Sequence, residues 1–134
     1  MPSLVTEIPA APSKVAEEHF AAEFTFETDC WDVHDALTGE ADFVLLDVRS
    51  SAAYAQGHVP RAINLPVGKL VESKLARWSP NTQFVTYCAG PHCNGAAQGA
   101  LRLARLGRPV KIMSGGITGW LDEGFELERE KTGD

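Results

Sequence analysis

Two cysteines border a short glycine- and proline-containing stretch in the second half of the chain. The stretch Tyr87–Ala96 reads YCAGPHCNGA and follows the apolar run at 83–87. A thiol placed directly after an apolar strand and just before an alanine-rich helix feels the partial positive charge of the helix N-terminus. That field stabilises a thiolate and lowers the pKa of a cysteine. Cys88 is therefore a candidate nucleophile at neutral pH.

The residues between this strand and this helix form a predicted anion-binding loop. Gly90 and Pro91 favour a curled backbone in which several N–H groups point inward. The helix that follows adds the positive end of its dipole to the same concavity. We assign seven residues to this loop: Ala89, Gly90, Pro91, His92, Cys93, Asn94 and Gly95.

Other readings of the loop remain open from the residues alone. A cysteine at a strand end is often inert packing, and Cys93 could instead close a disulfide with Cys88. Sequence spacing does not decide whether the two side chains meet. His92 is predicted to be an exposed loop histidine rather than a general acid. The Cys88, His92 and Cys93 spacing matches no common zinc pattern, so no metal site is predicted.

Strand and helix patterns alternate along the chain. Runs such as FVLLDV at 43–48 are typical of strands buried on both faces of a parallel sheet. The alternation predicts an α/β fold, a three-layer sandwich with a mostly parallel central sheet and helices on both faces. Ser13 and Thr28 are the predicted caps of the first two helices. Strands are predicted at 24–26, 43–48, 83–87 and 110–113, extended chain at 58–66, and helices at 13–23, 29–38, 51–55, 67–78, 95–106 and 117–123.

Three loop segments should meet at one edge of this sheet. Ligands of parallel sheets bind beyond the carboxyl ends of the strands. The segments that follow predicted strands there are Asp47–Arg49, Cys88–Asn94 and Ser114–Gly116. Asp47 and Arg49 are predicted supporting residues, which form a buried pair that fixes the strand ends.

The length, charge and composition of the chain are typical of a single globular domain. The chain has 134 residues, 44% of them hydrophobic, and a net charge of −6, which suits one globular domain. Its basic residues are scattered, so no nucleic-acid partner is predicted. Three cysteines do not make a disulfide scaffold. The start of the chain lacks the pattern of a secretory signal and no run is long enough for a membrane span, so we expect a soluble, cytoplasmic protein without a membrane partner.

Three motifs in order resemble those of one family. DVRSSAAYAQGHVPRAINLP at 47–66 and SGGITGWLDEGFEL at 114–127 resemble the two signatures of rhodanese-like domains. YCAGPHCNGA falls where that family has its catalytic cysteine loop. The resemblance covers residues 24–127, which leaves 1–12 as a predicted flexible arm, 13–23 as a helical extension and 128–134 as a charged tail.

The resemblance implies a single-domain sulfurtransferase. In that family the loop cysteine takes a sulfane sulfur from a donor such as thiosulfate and holds it as a persulfide. It then passes the sulfur to a thiophilic acceptor such as cyanide or a thiol, which includes a protein thiol. Carried over, Cys88 is the nucleophile, and the amides of 89–95 cradle the outer sulfur and the oxyanion of the donor. This chemistry implies no metal and no organic cofactor.

The chain departs from the family at the end of the loop. Many members have an arginine there, whereas this chain has no Arg or Lys between Cys88 and Arg102. Without a fixed cation, a dianion such as thiosulfate is expected to bind weakly. An arsenate reductase or phosphatase-like enzyme on the same fold is one alternative, although the cysteine-x5-arginine pattern of the phosphatases is missing. A non-catalytic binding module is another. A redox role is also open, in which Cys93 resolves an oxidised or persulfidated Cys88 as a disulfide.

Overall fold

The central layer is one parallel sheet. In a computed structural model, which describes residues 1–130, its strands are β1 (Glu27–Asp29), β2 (Val44–Asp47), β3 (Ile63–Asn64), β4 (Phe84–Tyr87) and β5 (Val110–Ser114). Their order across the sheet is β1-β5-β4-β2-β3, and every neighbouring pair is parallel. Parallel pairing brings the carboxyl ends of all strands to one edge. The segments that follow β2, β4 and β5 therefore lie along that edge.

Helices cover both faces of this sheet, as the sequence predicts. Successive strand side chains point to opposite faces. Leu45 and Val85 pack in one apolar cluster with Trp120, and Leu46 and Phe84 pack in a second cluster with Leu103. The helices are α1 (Leu4–Glu7), α2 (Ser13–Phe26), α3 (Cys30–Leu37), α4 (Ser51–Gln56), α5 (Glu72–Leu75), α6 (Gly95–Arg105) and α7 (Gly116–Asp122), with a 3-10 turn at Val67–Lys69.

The N-terminal boundary of the sheet differs from the prediction. The predicted strand at 24–26 is wrong, because α2 continues to Phe26 and the strand begins at Glu27. Phe24 and Phe26 are 75% and 64% exposed, so their apolar side chains do not mark a buried strand. An edge strand needs less apolar sequence than a central one, which explains how the polar residues Glu27–Asp29 form β1.

Two predicted helix caps are also wrong. Ser13 is the first residue of α2, and Pro12 occupies the N-cap position. Thr28 lies within β1, whereas the Asp29 carboxylate caps α3 by accepting a hydrogen bond from the Asp32 N–H at 2.8 Å. Because β1 extends through Thr28 to Asp29, the cap position falls on Asp29, which is also a common cap residue type.

The segment between β2 and β4 is more irregular than predicted. The single helix predicted at 67–78 is instead the 3-10 turn and the short α5, because Val71 between them is extended. The predicted extended chain at 58–66 contains β3, which pairs with β2 through Leu46–Ile63 and Asp47–Asn64. This strand is only two residues long, too short for a periodic pattern.

The predicted segments outside 24–127 are partly structured. Residues 1–12 include α1, which Ser3 caps and which is exposed throughout. Glu128, at the start of the predicted tail, exchanges two backbone hydrogen bonds with His58, at 2.8 and 2.9 Å. The last four residues of that tail, 131–134, lie outside the described residues. Across 1–130, none of the helices has both the length and the apolar character to cross a bilayer.

A buried carboxylate ties the carboxyl ends of β2 and β4 together. Asp47 is fully buried and accepts hydrogen bonds from Arg49, at 2.7 Å from Nη2, and from the Tyr87 hydroxyl, also at 2.7 Å. Arg49 donates further to the Gly57 carbonyl, and the Tyr87 hydroxyl accepts from the Val59 N–H. Burial, with the Asp47 charge beside it, raises the pKa of Tyr87 far above its usual value. The predicted Asp47–Arg49 pair is thus present and holds adjacent strand ends together.

Removing the Asp47 charge should destabilise this edge of the sheet. Asp47→Asn leaves the Arg49 guanidinium, whose side chain is 13% exposed, without its counterion, so the free energy of unfolding should fall by about 3 kcal/mol. Urea unfolding followed by circular dichroism measures the loss. The control Glu23→Gln breaks the exposed His19–Glu23 pair and should cost less than about 0.5 kcal/mol. Equal stability of the two variants would contradict this role for Asp47.

The third cysteine, Cys30, belongs to the core, as its place on one helical face with Val33 and Leu37 predicts. Cys30, at the start of α3, is 5% exposed, and its Sγ lies 3.5 Å from the Ser114 carbonyl oxygen and 3.6 Å from that of Gly116. Burial, followed by the negative charges of Asp29 and Glu123, raises the pKa of the Cys30 thiol to about 11. Cys30 is therefore protonated at neutral pH.

Cys30 should resist alkylation in the folded protein. A pKa of about 11 instead of 9.0 leaves about a hundredfold less thiolate than an ordinary thiol has at the same pH. Cys93 is exposed and forms a disulfide with Cys88. After this disulfide is reduced, iodoacetamide at neutral pH should label Cys93 and leave Cys30 unmodified until urea is added or the pH approaches the raised pKa. Peptide mass spectrometry reads each site. Labelling of Cys30 at the rate of Cys93 would show that its thiol is neither buried nor held neutral.

Candidate functional site

The loop between β4 and α6 is anchored to the start of α7. The Cys88 carbonyl accepts a hydrogen bond from the Ile117 N–H at 3.1 Å. The Ala89 carbonyl accepts from the Thr118 N–H at 2.9 Å and from its hydroxyl at 3.1 Å. These contacts fix the backbone on which the Cys88 side chain is mounted. Sequence reasoning did not identify Thr118, although it lies inside the SGGITGW stretch.

The close approach of these two segments requires a glycine at position 116. Gly116 has a φ of +58°, and a Cβ built on it would overlap the backbone carbonyl of Cys88. Any other residue would therefore push the cysteine loop away from α7. Gly116, in the second signature, thus controls the position of Cys88 through the backbone.

Cys88 and Cys93 are joined by a disulfide in this structure. Their Cα atoms lie 6.3 Å apart, and the Cys93 N–H donates to the Gly90 carbonyl at 3.0 Å, which folds the loop back on itself. Cys88 is buried, at 7% exposure, whereas Cys93 is exposed. The two side chains therefore meet, which spacing alone left open.

Both sulfur atoms lie against the N-terminus of α6. A Cβ built on Gly95, the first residue of that helix, would be 2.8 Å from the Cys88 Sγ and 3.4 Å from the Cys93 Sγ. The absence of a side chain at Gly95 lets the helix end approach the sulfurs directly. The positive end of an 11-residue helix favours negative charge on sulfur at this place.

The predicted cradle of loop amides is smaller than seven residues. Pro91 has no N–H, and the Cys93 N–H is already bonded to Gly90, so neither can serve an anion. Within residues 1–130, the amides of Ala89, Gly90, His92, Asn94 and Gly95 donate to no protein acceptor. The anion-binding capacity of the loop therefore rests on these five amides and on the start of α6.

A cleft of about 390 Å³ opens beside the two cysteines. One wall is the cysteine loop with the start of α6, and the other is the end of β5 with the glycine turn. Of the residues that the structure describes, those lining the cleft include the acidic Glu27 but no Lys, Arg or His. The lining comprises Glu27, Cys88, Gly90, Pro91, Cys93, Asn94, Ala96, Ala97, Ile112, Met113, Ser114, Gly115 and Gly116.

The predicted site residues divide into two groups. Cys88, Gly90, Pro91, Cys93 and Asn94 line the cleft. The remaining predicted residues do not line it: Ala89, His92, Gly95, Asp47 and Arg49.

Of the three segments expected to meet, two form the cleft and the third is tied to Tyr87 instead. His92 is exposed, as predicted. Sequence reasoning missed Glu27, because it placed the first strand before that residue. Among residues 1–130, no three His, Cys, Asp or Glu side chains are grouped so as to hold a metal ion.

Comparisons with known proteins agree on one family. The model of the rhodanese-like domain matches residues 31–123. The crystal structure of a Bacillus halodurans protein superposes with a TM-score of 0.84 at 36% identity, covering 88% of this chain and 87% of that one. Similarity at this level extends to the whole α/β architecture described above.

Two curated relatives match most of the chain. An HTH-type transcriptional regulator of Mycobacterium tuberculosis is 33% identical over 124 residues, which are 85% of this chain and 54% of the regulator. This chain thus spans about half the length of that relative. A protein of Allochromatium vinosum named sulfurtransferase is 28% identical over 101 residues, which are 75% of this chain and 92% of that protein. With its fold, its cysteine loop and the span of the family match, the chain belongs to the rhodanese-like domain family.

Proposed function

We propose that the protein is a sulfurtransferase in which Cys88 carries a sulfane sulfur as a persulfide. The observation that supports this most directly is the Cys88 Sγ packed against Gly95, with no side chain between the sulfur and the N-terminus of α6. Such a position favours the thiolate, which is the nucleophilic form. Membership in the rhodanese-like family and similarity to a sulfurtransferase support the same assignment.

The proposed reaction has two displacement steps. The disulfide is first reduced, which frees the Cys88 thiolate. That thiolate attacks the sulfane sulfur of the donor, so a Cys88 persulfide forms and the rest of the donor leaves; thiosulfate would leave as sulfite. An acceptor such as cyanide then attacks the outer sulfur, which yields thiocyanate and restores the Cys88 thiolate. The loop amides at 89–90, 92 and 94–95, which donate to no acceptor within residues 1–130, stabilise the charge on the outer sulfur.

The charge of the residues lining the cleft affects which sulfur donor can bind there. Glu27 lines the cleft and no basic residue among 1–130 does. A thiosulfate dianion would meet a carboxylate and would rely on amides alone for attraction. An organic persulfide, whose reacting S–S group bears at most one negative charge, fits this cleft better. We therefore propose that persulfides are better donors than thiosulfate.

Cys88 should be required for catalysed sulfur transfer. With excess thiosulfate, cyanide and a dithiol that keeps the loop cysteines reduced, the protein should form thiocyanate at a rate that falls at least about a hundredfold in Cys88→Ser, because a hydroxyl does not replace the thiolate as nucleophile. Colorimetric thiocyanate measurement gives the rate. The control Cys30→Ala removes a buried thiol outside the cleft and should stay within about twofold of wild type. A wild-type rate no higher than the uncatalysed reaction would reject the enzyme.

Glu27 should weaken thiosulfate binding. In Glu27→Gln, the KM for thiosulfate should fall roughly threefold at low salt with little change in kcat, since a repulsive charge is removed from the cleft without touching Cys88. Steady-state kinetics at two salt concentrations measure the effect, which salt should reduce. The control Glu18→Gln changes an exposed carboxylate of α2 outside the cleft and should leave KM unaltered. An unchanged KM in Glu27→Gln would mean that its charge does not reach the donor.

A second candidate function is a sulfur- or redox-sensing module. One relative, covered over about half its length, is named a transcriptional regulator, which supports a regulatory setting for this domain. In that case the Cys88–Cys93 pair would change its thiol state once in response to a sulfur species, without turnover. Thiocyanate formation distinguishes the candidates, because an enzyme forms many equivalents per protein and a sensor forms one at most.

A further inference from the structure

The second loop cysteine offers an acceptor within the protein itself. We propose that Cys93 resolves the Cys88 persulfide, so that the protein releases sulfane sulfur as hydrosulfide. This inference rests on the proposed persulfide at Cys88. It starts from the bond between the Cys88 and Cys93 sulfurs, which shows that the exposed thiol reaches the buried one without rearrangement of the fold.

The step is a thiol–disulfide exchange. The Cys93 thiolate attacks the Cys88 Sγ, which is the inner sulfur of the persulfide. A Cys88–Cys93 bond forms and the bond from Cys88 Sγ to the outer sulfur breaks. The outer sulfur takes the proton that the Cys93 thiol gives up and leaves as hydrosulfide. The outer sulfur gains two electrons, and the two cysteines lose two as they become a disulfide. The product of this step is the state in which the structure shows the loop.

The loop geometry favours this internal acceptor over an external one. Cys93 lies in the same turn as Cys88, which the hydrogen bond from the Cys93 N–H to the Gly90 carbonyl closes. Gly95 packs against both sulfurs, and because it has no side chain, nothing at this position pushes the two sulfurs apart. A nucleophile held in contact with its target reacts as if at a very high concentration, which free thiols in solution do not match.

The difference in exposure between Cys88 and Cys93 determines how the disulfide is reduced again. Cys93 is exposed and Cys88 is buried, so an external dithiol reductant meets the Cys93 sulfur first. Its attack there forms a mixed disulfide with Cys93 and expels Cys88 as a thiolate, which the start of α6 stabilises. The second thiol of the reductant then frees Cys93 and leaves as part of a disulfide. The cycle therefore consumes one dithiol for each sulfane sulfur reduced.

The charge of the cleft also suits release of an anion. Both cysteines border the cleft, and among the described residues its lining includes a carboxylate and no basic side chain. A hydrosulfide ion formed there has no cation to hold it. Its departure makes the exchange step favour the disulfide.

A single-turnover experiment without reductant tests this role of Cys93. Wild type, Cys93→Ser, Cys88→Ser and the control Cys30→Ala are reduced, freed of reductant and mixed with excess thiosulfate, and in parallel with glutathione persulfide. Hydrosulfide is trapped with monobromobimane, and intact-protein mass spectrometry reads the state of the cysteines. We expect about one hydrosulfide per protein and a disulfide-bonded loop in wild type and Cys30→Ala. Cys93→Ser should hold one added sulfur and release at least tenfold less hydrosulfide, on the order of the Cys88→Ser background.

Each other outcome overturns the inference in a recognisable way. Wild type that keeps the added sulfur with Cys93 still alkylatable shows that Cys93 does not resolve the persulfide, and the proposed function then stands alone. Equal hydrosulfide release by Cys93→Ser shows that another group reduces the sulfur. Failure of Cys93→Ser to take up sulfur from either donor rejects the persulfide itself, and this inference with it.

Discussion

The backbone contact between the cysteine loop and the start of α7 is the constraint on which the site depends. The carbonyls of Cys88 and Ala89 both accept hydrogen bonds from the first turn of α7. That contact is possible only because Gly116 has no Cβ to collide with the Cys88 carbonyl. The loop thus has a defined path from β4 to α6, and its length places Cys93 back beside Cys88. A bulkier turn would move Cys88, Cys93 and the cleft wall together.

The electrostatics of the site come from the backbone rather than from side chains. The start of α6 is the positive element next to the sulfurs, and Gly95 lets it come into contact with them. The cleft itself has an acidic residue, Glu27, in its lining. A site of this kind favours a thiolate on a buried cysteine without offering a dianion a counterion. The same arrangement accounts for the donor that we propose and for release of an anionic product.

Two kinds of residue lie at this edge of the sheet: some hold the strands in place, and others line the cleft. Asp47 and Arg49 lie at the end of a strand adjacent to β4, but they form an ion pair with each other. Asp47 also accepts a hydrogen bond from the Tyr87 hydroxyl, and Arg49 donates one to the Gly57 carbonyl. They hold the strand from which the cysteine loop departs and do not line the cleft. Cys30 is similar, because it packs against the glycine turn from the core side and is held neutral there. Among the three thiols, only the loop pair therefore combines access to the cleft with the field of a helix end.

Local chemistry in the sequence determined the parallel α/β class, the position of the cysteine loop and the core role of Cys30. Two of the signals are local: apolar runs long enough to show a period, and turns that contain glycine. Both can be read from the sequence without knowledge of tertiary contacts. Tertiary structure alone decided that 24–26 continues a helix, that β3 exists, and that Glu27 rather than Arg49 lines the cleft. It also decided that Cys93 meets Cys88 and that the Cys93 amide is already engaged. These features depend on which segments, far apart in the sequence, pack together. The type of a residue and its neighbours in the chain do not directly specify such long-range contacts.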